Sequence, residues 1–406
     1  MDLTERRDLR GGHPCWVAID DNTLTSDPIP SDSVDIAIVG AGVMGAMLGE
    51  RLSGEGRRVL LLDRRPPAHG STAASTALVM WAADVPLTRL AGTIGMAEAA
   101  RRWRRVFAAV ERLAARIDDA EIECGRIDRP ELYLAGTLLD EQALRAEAEA
   151  RRAAGLPSDY LDAATVAGRF DIAPRAALLS AGSYEVDPVR LTLGLLAKAR
   201  ARGAAACFPF DVARIEQTGG GSMLHGADGR RIEAKTVILA PGYERAVWFL
   251  PAAFTVGSSY AIATAPGRAP LWRENAMIWE ASSPYLYTRA TADGRVIAGG
   301  EDEDFDDARQ RDALIETKRG TISAKLAAMI AVEDITVDCA WAAAFGSSPD
   351  GLPAIGRARN HDNLWLASGF GGNGVSFAAL GTELIAAALS GATDPDAECF
   401  DPYRFS

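Results

Sequence analysis

Three glycines near the start of the chain are spaced so that bare backbone could approach a phosphate. Gly40, Gly42 and Gly45 follow the apolar residues 36–39. In such a turn the first glycine permits the tight bend, the second lets the backbone approach a pyrophosphate, and the third lets the next helix pack on the strand. The N–H groups and the positive end of the helix dipole favour phosphate oxygens. The pattern predicts a strand, a phosphate-binding turn and a helix.

A carboxylate stands where the second half of this unit would need one. Residues 58–62 predict the next strand, and Asp63 ends it, eighteen residues after Gly45. A carboxylate at this distance is suited to accept hydrogen bonds from ribose hydroxyls. GxGxxG alone is a weak signal, but here strand, helix and acid occur at the expected distances. We therefore predict dinucleotide binding; the alternative is a tight strand–helix turn without a ligand.

Two further stretches could bring backbone N–H groups to a ligand. The loop at 69–77 carries four small hydroxyl residues, which suits a helix start that meets a second phosphate or a ring edge. A capped helix start without a ligand fits this loop equally well. Residues 369–376 carry four glycines and precede a helix predicted to reach Leu389. The dipole of that helix would stabilise negative charge on a ring.

Composition limits the class of protein. The 406 residues are 48% hydrophobic and 24% charged, as in a soluble globular protein of about two domains. A net charge of −12 argues against nucleic acid and anionic membranes as partners and is compatible with cationic small molecules. Five cysteines without a CxxC pair predict reduced thiols and no metal site. Without a signal-type segment or a membrane-spanning run, a cytoplasmic location is expected, while the oligomeric state stays open.

The elements that must position these loops can be predicted from apolar periodicity. Amphipathic helices are expected at 96–118 and 139–154, and Asp187-Pro188 opens a helix that ends before Gly203. Residues 235–239 predict a buried strand that breaks at Pro241-Gly242. This strand returns the chain to the first sheet, so the dinucleotide unit should be discontinuous.

The next part of the chain shows strand-type alternation of apolar and polar residues. Alternation at 259–265, 285–291 and 295–299 predicts an antiparallel sheet, with a turn at Asp293-Gly294. The acidic run 301–307 is expected to be a solvated loop and helix start, and the alternative is an electrostatic funnel for cations. Residues 1–32 are polar and are interpreted as an arm that lies on the surface or packs on a partner.

Six motifs in a single order resemble the D-amino-acid-oxidase-like family of FAD-dependent oxidoreductases over roughly residues 33–392. This group includes glycine oxidase, monomeric sarcosine oxidase and gamma-glutamylputrescine oxidase, and the last resembles this chain most at 345–356. The resemblance implies an α/β fold with a Rossmann-like FAD-binding domain of glutathione-reductase type and an α+β substrate domain with an antiparallel sheet. The motifs are Gly40–Gly45, Asp63, Gly70–Ser75, Ala240–Gly242, Asp350–Gly356 and Gly369–Ser376. The implied ranges are 33–118, 165–244 and 337–400 for the FAD domain and 119–164 and 245–336 for the substrate domain, after the arm at 1–32.

The resemblance also implies which residues bind FAD. The cysteine that carries the flavin covalently in sarcosine oxidase falls near Ala343, and Cys339 lies four residues upstream, so FAD is expected to bind non-covalently. The implied FAD-binding residues are Gly40, Gly42, Val43, Met44, Gly45, Asp63, Arg64, Gly70, Ser71, Thr72, Ala74, Ser75, Thr76, Val212, Ala240, Gly242, Gly351, Leu352, Gly371, Gly372, Asn373, Gly374, Val375 and Ser376.

The basic groups that these relatives use for an α-carboxylate are missing from the matched positions. Two arginines of the glycine oxidase pocket fall on Phe345 and Gly372, and a lysine and an arginine of sarcosine oxidase fall on Ser376 and near Met80. A buried carboxylate without a cationic partner is costly, so glycine or sarcosine is disfavoured as substrate. Arg289 either substitutes for these groups or is a surface arginine at a strand end.

Two other departures concern the reaction itself. The lysine that promotes reaction with oxygen falls on Ile297, which weakens the case for dioxygen as acceptor. A histidine common in the C-terminal glycine-rich loop is replaced by Asn373. With no matched acid or base, the flavin must carry the reaction while the protein supplies position and electrostatic field.

These considerations favour an FAD-dependent oxidoreductase that converts a C–N bond of an amine or N-substituted amino acid to an imine. Hydride would pass to flavin N5, with dioxygen as the expected acceptor and peroxide as product. The alternatives are a flavin dehydrogenase of a hydroxy acid with another acceptor, and a flavin-binding subunit of a larger complex. Candidates to line the substrate pocket are Tyr285, Tyr287, Trp341, Phe345, Phe370 and Asn373.

Overall fold

A computed structural model describes residues 3–16, 24–246 and 248–406. Over these residues the helices are α1 (Val43–Gly54), α2 (Leu87–Ile94), α3 (Met96–Asp119), α4 (Glu141–Ala153), α5 (Ala163–Phe170), α6 (Pro188–Ala201), α7 (Ala308–Ala313), α8 (Ile315–Met329) and α9 (Gly374–Leu389). The strands are β1 (Arg10–Gly12), β2 (Val34–Val39), β3 (Val59–Leu62), β4 (Leu78–Val79), β5 (Ile127–Leu134), β6 (Ser158–Leu161), β7 (Ala177–Glu185), β8 (Ala205–Cys207), β9 (Val212–Thr218), β10 (Gly221–Gly226), β11 (Arg231–Leu239), β12 (Thr255–Ala263), β13 (Met277–Glu280), β14 (Leu286–Ala290), β15 (Val296–Glu303), β16 (Cys339–Ser347), β17 (Ala354–Arg357) and β18 (Leu364–Ser368). A 3₁₀ helix spans Ser71–Ala74.

The smaller sheet contains the predicted dinucleotide unit. Its order is β17-β18-β11-β2-β3-β8, and the β9–β10 hairpin continues from β11. β18, β11, β2, β3 and β8 run parallel, and Ile38 lies beside both Leu61 and Ile238. The central strands are apolar on both faces because α1 covers one face, while residues of the β9–β10 hairpin pack on the other. The predicted return of the chain to the first sheet is confirmed.

The larger sheet has ten strands in the order β1-β16-β12-β15-β14-β13-β5-β7-β4, with β6 beside β7. Its pairs are antiparallel except for the parallel pair β13–β5. The predicted hairpin around Asp293-Gly294 is confirmed by β14 and β15, in which Arg289 lies opposite Ile297. Helix α8 packs on one side of this sheet, and the other side faces the smaller sheet.

Some strands belong to a different sheet from the one that the predicted domain ranges would give them. β7 and β16 lie inside the ranges predicted for the FAD domain, yet both pair in the ten-stranded sheet. A strand's own sequence indicates that it is buried, but its membership of a sheet depends on the partner with which it pairs. The helices predicted at 96–118 and 139–154 are confirmed as α3 and α4. Asp187 caps α6 as predicted, by accepting hydrogen bonds from two backbone N–H groups.

The expectation of a solvated acidic loop at 301–307 is wrong for its first half. Glu301 ends up buried within β15, where Lys318 and Lys325 of α8 form ion pairs with it. Asp302 is also half-buried. Only the second half behaves as predicted, since Asp307 caps α7 through Gln310 N at 2.8 Å. The local sequence shows the repelling carboxylates but not the lysines that a distant helix brings to them.

Residues 3–16 of the N-terminal arm pack on both sheets. β1 pairs with β16, and the indole N–H of Trp16 donates to the Ser75 carbonyl at 2.9 Å. Arm residues 1–2 and 17–23 lie outside the described residues. None of the helices in the described ranges is both long enough and apolar enough to cross a bilayer.

Candidate functional site

A large cleft lies where the glycine-rich turns of the smaller sheet meet the ten-stranded sheet. It encloses about 1930 Å³ of empty space, including the part that opens to solvent. The structure brings most of the predicted residues together here. Those that line it are Gly40, Gly42, Val43, Met44, Asp63, Arg64, Gly70, Ser71, Thr72, Ala74, Ser75, Thr76, Val212, Ala240, Gly242, Gly372, Asn373, Gly374 and Val375, with Tyr285, Tyr287, Trp341 and Phe345.

The first turn of the smaller sheet can only be made with glycines. Gly40 has a φ of +122°, and a Cβ there would lie 2.1 Å from the Ala240 carbonyl oxygen. A Cβ on Gly45 would lie 1.9 Å from the Gly40 carbonyl oxygen. Both distances are impossible for a real side chain. Gly45 does not line the cleft, but it lets α1 pack against the turn and so fixes where the start of the helix points.

The start of α1 has no capping side chain from its own N-cap residue. Gly42 is its N-cap and provides no side-chain hydrogen bond to the first turn. The Val43 N–H donates to Thr72 Oγ1 at 3.0 Å, which joins this turn to the 3₁₀ helix. The neighbouring Ser71 Oγ is buried and has no hydrogen-bond partner. Uncapped N–H groups beside an unpaired hydroxyl are what a pyrophosphate would satisfy.

Asp63 lies where the sequence predicts a ribose-binding carboxylate. Its two oxygens accept hydrogen bonds from Ala41 N and Arg65 N, each at 2.8 Å. Burial raises the pKa of Asp63, and these backbone bonds oppose the shift. Each carboxylate oxygen retains a further acceptor site.

Two groups beside Asp63, Arg65 and Glu244, were missed in the sequence, whereas Arg64 was predicted. Glu244 forms ion pairs with both Arg64 and Arg65, and all three line the cleft. Glu244 follows the Pro241-Gly242 turn, so its nearness to a loop almost 180 residues earlier depends on parallel pairing of β2 and β11. Nothing in the local sequence distinguishes it from a surface glutamate.

Five predicted FAD-binding residues lie behind the lining rather than in it. Gly371 and Gly351 have positive φ values of +95° and +68°. A Cβ on Gly371 would lie 2.5 Å from the Gly351 carbonyl oxygen, so these two loops touch. Ser376 Oγ donates to the Met80 carbonyl at 2.6 Å. Together with Gly45 and the buried Leu352, they position the loops whose neighbouring residues face the cleft.

One end of the cleft has aromatic walls. Tyr285, Tyr287 and Phe345 lie there as predicted candidates, and Tyr243 and Trp279 join them without having been predicted. The close packing of Tyr287 on β15 requires a glycine, since a Cβ on Gly299 would lie 2.3 Å from its hydroxyl oxygen. Burial raises the pKa of Tyr287 to about 12 and that of Tyr285 well above its usual range. These phenols are therefore neutral at physiological pH.

Asp84 is the acidic residue at the aromatic end. It lines the cleft, and its Oδ2 accepts a hydrogen bond from Gly372 N at 2.6 Å. Burial raises the pKa of Asp84 to about 6, against the effect of that hydrogen bond. A Cβ on Gly372 would lie 2.5 Å from Asp84 Oδ1, so a glycine is needed for the carboxylate to lie here. Nothing in the residues around Asp84 distinguishes it from the other aspartates of the chain.

Two candidates from the sequence take other roles. Arg289 is neither a surface residue nor part of the cleft lining, because it is buried and donates to the carbonyls of Thr76, Val186 and Ala290 at 2.6–2.9 Å. Phe370 packs in an apolar cluster with Tyr243 and Phe254 and does not line the cleft. Arg289 was misread because a strand end is usually exposed, whereas the end of β14 is covered by the 3₁₀ loop.

Two more candidates line the cleft while forming internal hydrogen bonds. The indole N–H of Trp341 donates to the Ala74 carbonyl at 2.9 Å, and Asn373 Nδ2 donates to the Ala82 carbonyl. The first bond joins β16 to the 3₁₀ helix, and the second joins the loop before α9 to the segment after β4. Ala343 also lines the cleft, whereas Cys339 and the buried Ile297 are not among the lining residues.

The arm closes one side of the cleft. Leu3, Thr4 and Leu9 are lining residues, and Thr4 Oγ1 donates to Glu244 at 3.2 Å. We expect the double substitution Leu3→Ala and Leu9→Ala to weaken cofactor retention at least tenfold, because burial of each leucine contributes about 1.5–3 kcal/mol. The rate of flavin fluorescence recovery on dilution measures this. Met96→Ala, at an exposed methionine, is the control, and equal release rates in the two proteins would contradict the prediction.

Comparisons with known proteins agree with this geometry. The family model described as DAO, FAD dependent oxidoreductase, matches residues 35–388. The glycine oxidase of Pseudomonas putida is 25% identical over 383 residues, which are 89% of this chain and 95% of that protein. The tRNA 5-methylaminomethyl-2-thiouridine biosynthesis bifunctional protein MnmC of Paraburkholderia phytofirmans is 28% identical over 422 residues, 93% of this chain, and the chain spans only 60% of its length.

Solved structures share the fold. Glycine oxidase from Geobacillus kaustophilus superposes with a TM-score of 0.74 at 20% identity, covering 93% of this chain and 98% of that one. The resemblance noted from the motifs is thus confirmed along most of the sequence. The uncapped helix, the unpaired Ser71 hydroxyl and the Asp63 carboxylate fit a dinucleotide. The chain belongs to the DAO family of FAD-dependent oxidoreductases.

Proposed function

We propose that this protein oxidises a C–N bond of an amine or N-substituted amino acid, with non-covalent FAD as the electron acceptor. The observation that carries the proposal is the aromatic end of the cleft, where Asp84 is the charged lining residue. Arg64 and Arg65 are the basic residues in the described lining, and both are paired with Glu244. A substrate that needs a cationic partner for its carboxylate finds none at this end.

The FAD domain and the aromatic end would have separate tasks. The uncapped start of α1, Ser71 and Asp63 would bind the pyrophosphate and ribose, and the start of α9 would face the ring system. FAD supplies the chemistry of accepting a hydride from the substrate carbon. The nitrogen gives up a proton, which leaves a C=N double bond, and water then hydrolyses the imine.

The surroundings of the aromatic end favour the reactive form of an amine. An amine reacts as the neutral species. Enclosure between the half-buried Tyr285 and Tyr287 and the buried Trp279 lowers the pKa of an ammonium that has no carboxylate partner. The phenols remain neutral and can donate or accept hydrogen bonds without adding charge. The protein thus excludes water and orients the substrate, and dioxygen is the proposed final acceptor.

Anaerobic titration of the yellow holoprotein tests the proposal. Amines, amino acids and hydroxy acids are added separately, and absorbance near the flavin band is followed. We expect bleaching by amines, and peroxide on admission of oxygen. Bleaching by hydroxy acids alone would favour the dehydrogenase of a hydroxy acid, and bleaching by nothing in the panel would favour a flavin-binding subunit. Either result would reject the proposed reaction.

One substitution can supply the cation that a substrate carboxylate would need at the aromatic end. We expect Phe345→Arg, in β16 at the cleft, to improve kcat/KM for N-methyl amino acids at least tenfold, because a charge-assisted hydrogen bond contributes about 1.5–3 kcal/mol. Phe345→Met, which is similar in volume and neutral, is the control. Steady-state kinetics with an amino acid and its decarboxylated amine measure the effect. An equal change for both substrates would contradict the assignment of Phe345 to the pocket.

A further inference from the structure

We propose that Asp84 binds a second, protonated nitrogen of the substrate, so that the substrate class is an aliphatic diamine or another amine with a distal ammonium group. The inference deepens the proposed function and rests on it for the reaction. It concerns which amines the cleft selects, and it is carried by the placement of two carboxylates at the aromatic end. The first step is the position of Asp84 itself.

Asp84 presents a carboxylate to the cleft with one oxygen held by the backbone. Gly372 N donates to Oδ2 at 2.6 Å, and the described residues offer no cation within ion-pair distance of either oxygen. Asp84 is half-buried in the open cleft, and a bound substrate would enclose its carboxylate. Enclosing a carboxylate without a cation is unfavourable, so the site favours a ligand that brings a cationic group. The start of α9 lies beside it and cannot supply a full charge.

A second carboxylate lies behind the lining. Asp302 interacts with the hydroxyl groups of Ser259 and Tyr285, and both of those residues line the cleft. Its Oδ1 is buried and has no hydrogen-bond partner. The Tyr285 hydroxyl lies near Asp302, and a phenol oxygen that lines the cleft can accept a hydrogen bond from an ammonium. Asp302 thus adds negative charge behind Tyr285, as a positioning residue for that side chain.

The aromatic side chains at this end of the cleft also favour a cation. Tyr243, Tyr285, Tyr287 and Trp279 surround the space beside Asp84, and the faces of such rings attract cations. Acceptors and ring faces together form a site for a cation rather than for a neutral or anionic tail. The register between β12 and β15 shifts between Ser258 and Tyr260, so that Ser259 lies opposite residues 301–302.

The bound cation is a nitrogen other than the one that reacts. A carboxylate stabilises the protonated form of an amine and raises its pKa, whereas oxidation requires the neutral form. If Asp84 paired with the reacting nitrogen, it would oppose the reaction. The two requirements are compatible when the substrate has two nitrogens, one held as an ammonium at Asp84 and one left neutral at the reacting carbon.

Three probes that differ only at their distal end test the inference. They are 1,4-diaminobutane, 1-aminobutane and 4-aminobutanoate, which carry a positive, a neutral and a negative end. Binding to the oxidised holoprotein is measured by perturbation of the flavin spectrum, and turnover by anaerobic bleaching. We expect the diamine to bind at least tenfold more tightly than the monoamine, and 4-aminobutanoate to bind most weakly.

Substitutions then assign the effect to Asp84. Asp84→Asn keeps an acceptor for Gly372 N and should raise KM for the diamine at least tenfold, with less than a threefold change for the monoamine. Asp302→Asn and Tyr285→Phe should each raise KM for the diamine by a smaller factor. Asp119→Asn, which removes an equal charge on an exposed part of α3, should leave both KM values unchanged.

The outcomes separate this inference from the proposed function. If the diamine binds preferentially and Asp84→Asn removes the preference, but no probe bleaches the flavin, the proposed reaction fails and the cation site stands. If monoamines bind and bleach as well as the diamine, or if Asp84→Asn lowers activity on both equally, the cation site is rejected and the proposed reaction stands. Unchanged flavin absorbance and melting temperature in Asp84→Asn show that the variant is folded.

Discussion

Gly45→Ala is expected to produce a protein that retains almost no FAD. The new Cβ would lie 1.9 Å from the Gly40 carbonyl oxygen, so α1 must move away from the turn. We expect the free energy of unfolding of the apoprotein to fall by about 3 kcal/mol, at the upper end of overpacking effects. FAD affinity should fall at least a hundredfold, about 2.7 kcal/mol, because the N–H groups of the first turn no longer point together.

A second glycine provides a matched control for this prediction. Gly92 lies in α2, and a Cβ there would meet nothing within 4 Å. Gly92→Ala should therefore keep its FAD and change stability by less than about 1 kcal/mol, in the stabilising direction. Isothermal titration of the apoproteins with FAD and urea unfolding measure both quantities. Normal FAD affinity in Gly45→Ala would show that the turn does not bind the pyrophosphate.

Arg289→Met is expected to have the largest effect on stability, about 3–5 kcal/mol. The guanidinium of Arg289 is buried and donates to the carbonyls of Thr76, Val186 and Ala290. It also lies 3.8 Å from the buried Glu185. Methionine fills a similar volume but leaves three carbonyls without a donor, and each unsatisfied group is costly. Because Thr76 lines the cleft, FAD retention should fall as well.

The control is an arginine in an exposed ion pair. Arg319 pairs with Glu316 on the surface of α8, and such pairs contribute little. Arg319→Met should change the free energy of unfolding by less than about 0.5 kcal/mol. Urea unfolding of both variants checks the difference. If Arg289→Met is as stable as the parent protein but shows a raised KM for a carboxylate substrate, Arg289 binds substrate and our structural assignment is wrong.

The charges at the cleft differ from those that the carboxylate-binding relatives are expected to have. The fold fixes where two sheets meet and leaves the side chains at the aromatic end free to vary. Here Gly372 allows the Asp84 carboxylate to lie against the backbone, and Phe345 is apolar. The electrostatic preference of the site is therefore set by a few side chains rather than by the architecture.

Much of the FAD unit followed from the sequence because its constraints are local. Gly40, Gly45 and Asp63 lie within one strand–turn–helix–strand unit, and the need for a missing Cβ at the turn acts over a few residues. Helix α6 followed equally well from its cap at Asp187. Local sterics and hydrogen bonds determined these features, so the residue types alone were sufficient to predict them.

Tertiary structure decided the features that depend on distant partners. The burial of Arg289, the pairing of Glu244 with Arg64 and Arg65, and the placement of Asp84 beside Gly372 each join segments far apart in the chain. The sequence does not distinguish a solvated charged side chain from a paired one. The energy of the charge depends on the dielectric and the countercharge around it, which only the folded chain supplies. The aromatic end of this cleft is built from such groups, and for that reason only the folded chain shows it.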